Sequence, residues 1–119
     1  MVDNEPAVRD AFRRALERAG FDVVVAFDGR MALAEVGQYS FAAIVCDLRM
    51  PGLSGLGVHM VLQELFPDVA ARMIFVTAFR DDPQLQALLE STGRPVLDKP
   101  VEVADLIKAV QEVVASQQG

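Results

Sequence analysis

Five side chains of this sequence could do chemistry together: Asp3 and Asn4, Asp47, Thr77 and Lys99. Each stands at the C-terminal end of a short strand-like run, after "MV", "AAIVC", "MIFV" and "PVLD" respectively. Gathered at one place they would present an acid, an amide, a second acid, a hydroxyl and an amine. Two carboxylates and an amide oxygen suit a hard divalent cation such as Mg2+, which takes oxygen ligands and keeps waters. A lysine and a threonine hydroxyl suit an incoming phosphoryl group, the first as a point charge and the second as a donor. Such a set is built for phosphoryl transfer to a carboxylate, with Asp47, which emerges from a buried strand and is followed by the turn formers Pro51 and Gly52, as the acceptor.

Elements able to position these residues are legible along the chain. Residues 5 to 19 place Val8, Ala11, Phe12, Ala15, Leu16 and Ala19 at helical spacing, with Asn4 as cap, Pro6 in the first turn and Gly20 as the stop. "FDVVVAF", 21 to 27, reads as a strand that ends at Asp28 and Gly29, and "RMALAEVGQ" as a short helix. After the strand at 41 to 47, "SGLGVHMVLQELF" resumes helical spacing through Leu56, Met60, Val61, Leu62 and Leu65, closed by Pro67. "RMIFVTA" is a strand, "PQLQALLEST" a helix begun by Asp81, Asp82 and Pro83 and ended by Gly93, and "PVLD" a short strand. The last helix, from Val103, carries Leu106, Ile107, Val110, Val113 and Val114 on the same face as Val103.

With "MVD" as the stub of a first strand, the order is strand then helix, five times over. That alternation predicts a doubly wound α/β fold, a five-stranded parallel sheet with helices on both faces and right-handed crossovers. In open sheets of this kind ligands bind at the C-terminal strand ends where the winding reverses. The five chemical side chains stand at those ends.

Composition narrows the functions further. A chain of 119 residues with 52% hydrophobic residues is expected to form one domain, 1–119, able to bury roughly two-thirds of its unfolded surface. A formal net charge of −6 argues against binding nucleic acid or an anionic membrane. No apolar run approaches a membrane span and the acidic N-terminus lacks a signal-peptide layout, so a cytoplasmic setting is the expectation. Cys46 has no disulfide or CxxC partner and reads as a buried core thiol; His59, the one histidine, reads as a solvated helical residue.

"VDNEP", "CDLRMPGLSG", "FVTA" and "LDKP", in this order and at these spacings, resemble the receiver domain of two-component response regulators. The resemblance covers nearly the whole chain and implies a flavodoxin-like sheet of order 2-1-3-4-5. It implies that Asp47 is the phosphoacceptor and that a histidine kinase or histidine phosphotransfer protein is the partner. By the same resemblance Asp3, Asn4, Asp47 and the main-chain carbonyl of Arg49 hold Mg2+, Thr77 is the switch hydroxyl, and Lys99 pairs with the phosphoryl group. It implies a cis bond at Pro100 as well. "LLESTGRPVLDKP" resembles receivers at the C-terminus of hybrid histidine kinases; Arg13, Arg14 and Arg18 read as a solvated face of the first helix, which in receivers often contacts the kinase or phosphotransfer partner. A homodimer through the last helix is compatible with its valine-rich face, which the sheet could equally use.

Three departures from that pattern bear on function. Asn4 stands where receivers carry a second carboxylate, so Mg2+ binding should be weaker than with both acids, and Asn4→Asp should tighten it. Val96 stands three residues before Lys99, where many receivers have an aromatic residue that moves with the threonine; switching would then run through the loops after Thr77, including Phe79, or be small. The first strand is truncated, with Met1 and Val2 alone before Asp3; residues further upstream, or another chain, would complete it. The alternative to a phosphorylated receiver is a pseudo-receiver that binds proteins without phosphorylation. A flavin-binding or phosphatase enzyme on the same fold is disfavoured, because no Gly/Ser/Thr-rich phosphate loop follows the first strand and no DxD begins at Asp47.

Overall fold

The computed structural model describes residues 1–2, 5–26, 28–49, 53–78 and 82–116. Helices α1 (Pro6–Arg18) and α2 (Gly29–Gln38) precede strand β1 (Ile44–Asp47), and α3 (Gly55–Leu65) and the single turn α4 (Pro67–Ala70) lead to β2 (Met73–Thr77). Helix α5 (Pro83–Thr92), strand β3 (Val96–Asp98) and α6 (Val103–Ser116) complete the described chain. The three strands pair in parallel in the order β1-β2-β3, and Val2 bridges in parallel to both Cys46 and Ala26.

Side chains of β1 and β2 alternate between two apolar layers, as the period of a strand requires. Ile44, Cys46, Met73 and Phe75 face a layer with Ala32 of α2, Val58 and Leu62 of α3 and Leu89 of α5. Val45, Ile74 and Val76 face the opposite layer with Phe12 and Leu16 of α1 and Leu106, Val110 and Val113 of α6. Because both faces are covered, the strands read as continuous apolar runs rather than as alternating ones. The doubly wound arrangement expected from the sequence is thus present, and Cys46 is fully buried in it.

Helix ends follow local chemistry. Asp28 accepts from the Met31 N–H at the start of α2, Ser54 from the Gly57 N–H at the start of α3, and Asp82 from the Gln84 and Leu85 N–H groups at the start of α5. Gly93, at φ 67°, ends α5 in the left-handed conformation that favours glycine. Asp81 lies outside the described residues.

Several expectations are corrected. Residues 21 to 26 form no extended strand, and Ala26 makes one bridge, to Val2; Phe27 lies outside the described residues. The N-cap of α1 is Glu5 rather than Asn4, and its side chain makes no capping bond. α3 ends at Leu65, ahead of Pro67 as expected, and Pro67 also opens the single turn α4, which the sequence did not show, since proline suits a first helical turn. On α3 the buried face is Val58, His59 and Leu62, while Met60 and Leu65 are exposed; on α6 Val103 is exposed as well. His59 is 7% exposed with its ring 5.7 Å from that of Phe75, so it is a core residue rather than a solvated one.

Candidate functional site

Register brings the chemical side chains together. Asp47 pairs with Val76, so Thr77 is the next residue along β2; Thr77 pairs with Asp98, so Lys99 is the next residue after β3. β2 therefore runs one residue past the partner of Asp47, and Lys99 follows directly on the partner of Thr77, so Asp47, Thr77 and Lys99 step across the same edge by one residue per strand. Main-chain bonds continue this stagger past the strands. The Leu48 N–H donates to the Val76 carbonyl at 3.0 Å, and the Lys99 N–H donates to the Thr77 carbonyl at 2.8 Å.

Asp47 is the centre of the site. Its side chain is 6% exposed, and a buried carboxylate needs partners for its charge. Lys99 Nζ donates to Asp47 Oδ2 at 2.8 Å and the Arg49 N–H donates to Oδ1 at 3.2 Å. Lys99 is itself 18% exposed at its side chain, so the ammonium is held largely by protein. The bond joins residues 52 apart in sequence and closes the sheet end across Thr77, which is 1% exposed.

The backbone beneath Asp47 is tightly framed. The Gly55 N–H donates to the Leu48 carbonyl at 3.1 Å, and a Cβ on Gly55 would lie 2.5 Å from the Asp47 carbonyl oxygen. Glycine is required there because α3 starts against the chain that leaves β1. The Lys99–Pro100 bond is cis, as expected.

Of the residues singled out from the sequence, Asp47, Thr77 and Lys99 share this end of the sheet, and Arg49 contributes its N–H to Asp47. Asp3, Asn4 and Phe79 lie outside the described residues. One residue was missed: Glu5 Oε1 lies 3.6 Å from Lys99 Nζ. Its place directly after Asp3 and Asn4, before a helix that starts with proline, was the available signal. Among the described residues no three His, Cys, Asp or Glu side chains gather as a metal cluster. The oxygen groups at Asp47 and Arg49 are nonetheless of the hard type that Mg2+ takes.

The chain matches the response regulator receiver domain model over residues 1–111. It belongs to that family. It is a receiver domain of two-component signalling with the flavodoxin-like receiver fold. It is 31% identical to the tetrathionate response regulatory protein TtrR of Salmonella typhimurium, over 96% of this chain and 54% of that protein, so it spans about half the length of this relative. A CheY-like receiver domain protein from Methanospirillum hungatei superposes with a TM-score of 0.89 at 24% identity, over 98% of this chain and 92% of that one. The response regulator TrrA of Thermotoga maritima, solved in complex with Mg2+-BeF, has a TM-score of 0.81 at 25% identity, over 94% of each chain.

Proposed function

We propose that this receiver takes a phosphoryl group onto Asp47 from a phosphohistidine of a histidine kinase or histidine phosphotransfer protein. The observation that carries this reading is the buried Asp47 carboxylate held between Lys99 Nζ and the Arg49 N–H at the end of β1. A carboxylate oxygen attacks phosphorus, the phosphorus–nitrogen bond breaks, and the leaving imidazole keeps the electron pair. Lys99, already at the carboxylate, pairs with an equatorial phosphoryl oxygen, and the Thr77 hydroxyl donates to another. Asp47, the Arg49 carbonyl, Asp3 and Asn4 are the residues that would hold Mg2+, which when bound neutralises charge on the phosphoryl oxygens. Residues 1–119 act as one such domain. Its chemistry is self-phosphorylation and autodephosphorylation rather than turnover of a separate substrate, in a cytoplasmic setting. Among the described residues no helix is long and apolar enough to cross a membrane.

Intact-mass measurement after incubation with acetyl phosphate, with and without Mg2+, tests the reading on the wild type and on Asp47→Asn. A phosphate adduct that needs both Mg2+ and Asp47 is the expected result. A wild type that takes no phosphate under any condition would overturn it in favour of a phosphorylation-independent interaction module.

A further inference from the structure

We propose that Glu5 is a third acidic member of this site, a positioning residue that shares Lys99 with Asp47 and supplies the negative charge that Asn4 does not; this rests on the phosphorylation reading above. Glu5 occupies the N-cap position of α1, yet its carboxylate makes no capping bond to that helix. Instead Oε1 lies 3.6 Å from Lys99 Nζ, which is 2.8 Å from Asp47 Oδ2. Among the described residues one ammonium thus stands between two carboxylates, one from the end of β1 and one from the start of α1.

The exposures of the two carboxylates separate their roles. At 61% exposed, the Glu5 side chain gains little stability from an ion pair, since water screens it. Its consequence lies in the field of the pocket. The Glu5 carboxylate draws part of the Lys99 charge, so Asp47 keeps more of its own charge toward a cation, and Glu5→Gln removes that share. A divalent cation feels the added negative charge twice as strongly as a monovalent one, so the effect should appear first in Mg2+ affinity.

The test is calorimetric titration of Mg2+ into the wild type, Glu5→Gln, Glu5→Asp and the double variant Glu5→Gln/Asn4→Asp, with the Mg2+ dependence of acetyl phosphate labelling followed on the same proteins. Glu5→Gln should weaken Mg2+ binding about three- to fivefold, and raise the Mg2+ concentration for half-maximal labelling in parallel. Glu5→Asp should recover part of that loss, and the double variant Glu5→Gln/Asn4→Asp should bind Mg2+ at least as tightly as the wild type. Equal Mg2+ affinity in wild type and Glu5→Gln, with Asp47 still labelled, would overturn the role of Glu5 while leaving the phosphorylation reading intact. A fall in the Mg2+-free melting temperature of Glu5→Gln that Glu5→Asp does not recover would also overturn it, because the residue would then be structural. Failure of the wild type to label at Asp47 would instead remove the reading on which the proposal rests.

Discussion

The two ends of the sheet handle buried charge in opposite ways. At the C-terminal end a carboxylate and an ammonium satisfy each other, Asp47 with Lys99, and a second carboxylate stands beside them. Near the N-terminal end, guanidinium groups satisfy main-chain carbonyls: Arg72 Nη1 donates to the Phe41 carbonyl at 2.9 Å and Arg94 Nε to the Met73 carbonyl at 2.9 Å. A carbonyl in a fixed backbone can neither be modified nor change its charge, so the arginine contacts tie chain segments together. A side-chain pair can part when a new anion arrives and re-form around it. The same strands are therefore anchored at one end and chemically exchangeable at the other.

The strongest way to break this comparison is to remove the exchangeable cation. Lys99→Met should slow acetyl phosphate labelling of Asp47 about a hundredfold, the usual cost of losing one preorganised donor to developing charge. It should also lower stability by about 2 kcal/mol by leaving a buried carboxylate short of a partner. Timed mass spectrometry and urea melts read the two effects separately. Unchanged labelling would mean that Lys99 is an anchor like the arginines.

Gly55→Ala probes the frame rather than the charge. The added methyl would overlap the Asp47 carbonyl, which must then shift, with an expected loss of about 1–3 kcal/mol in urea melts. Slower labelling should accompany that loss, because the carboxylate moves with its backbone.

At the anchored end, Arg94→Met should cost about 1–2 kcal/mol through the lost bond to the Met73 carbonyl, which is buried. Labelling of Asp47 at a temperature where the variant is folded should match wild type. A labelling defect in the folded variant would show that the two ends are coupled.

The smallest expected effect is a pH dependence at His59. Burial, and then the nearby Arg94 charge, hold its imidazole below the ordinary value of 6.5. The unfolded chain then takes up a proton more readily than the folded one, so the contribution of His59 is full above that value and is lost as pH falls below it. Melting temperatures of wild type should fall over this range more steeply than those of His59→Gln. Parallel curves would place the titration elsewhere.

How much of this was readable in advance differs by element. Asp47, Thr77 and Lys99 were legible because each ends an apolar run in a strand-helix alternation, and parallel winding puts such ends on one edge. The buried face of α3 was not. Apolar spacing marks a wide arc on a helix, and docking against Phe75 selects Val58, His59 and Leu62 from it while Met60 and Leu65 stay outside. Residues 21 to 26 have the valines of a strand, yet Ala26 makes one bridge, because a strand forms by pairing with a distant segment that no local pattern records. The turn α4 was hidden because a proline ends one helix and begins another with the same residue type.

Sequence alone determined which chemical groups stand at the strand ends, because residue identity and the periodicity of two and of 3.6 are written along the chain. Tertiary structure decided the rest. The parallel register of β1, β2 and β3 steps Asp47, Thr77 and Lys99 across one edge, and Lys99 Nζ reaches back to Asp47 Oδ2. The packing of α1 against α6 belongs to the layer that brings the start of α1, and Glu5 with it, to the same lysine. Such contacts join segments far apart in sequence, and their geometry is set by the shared core rather than by neighbours in the chain.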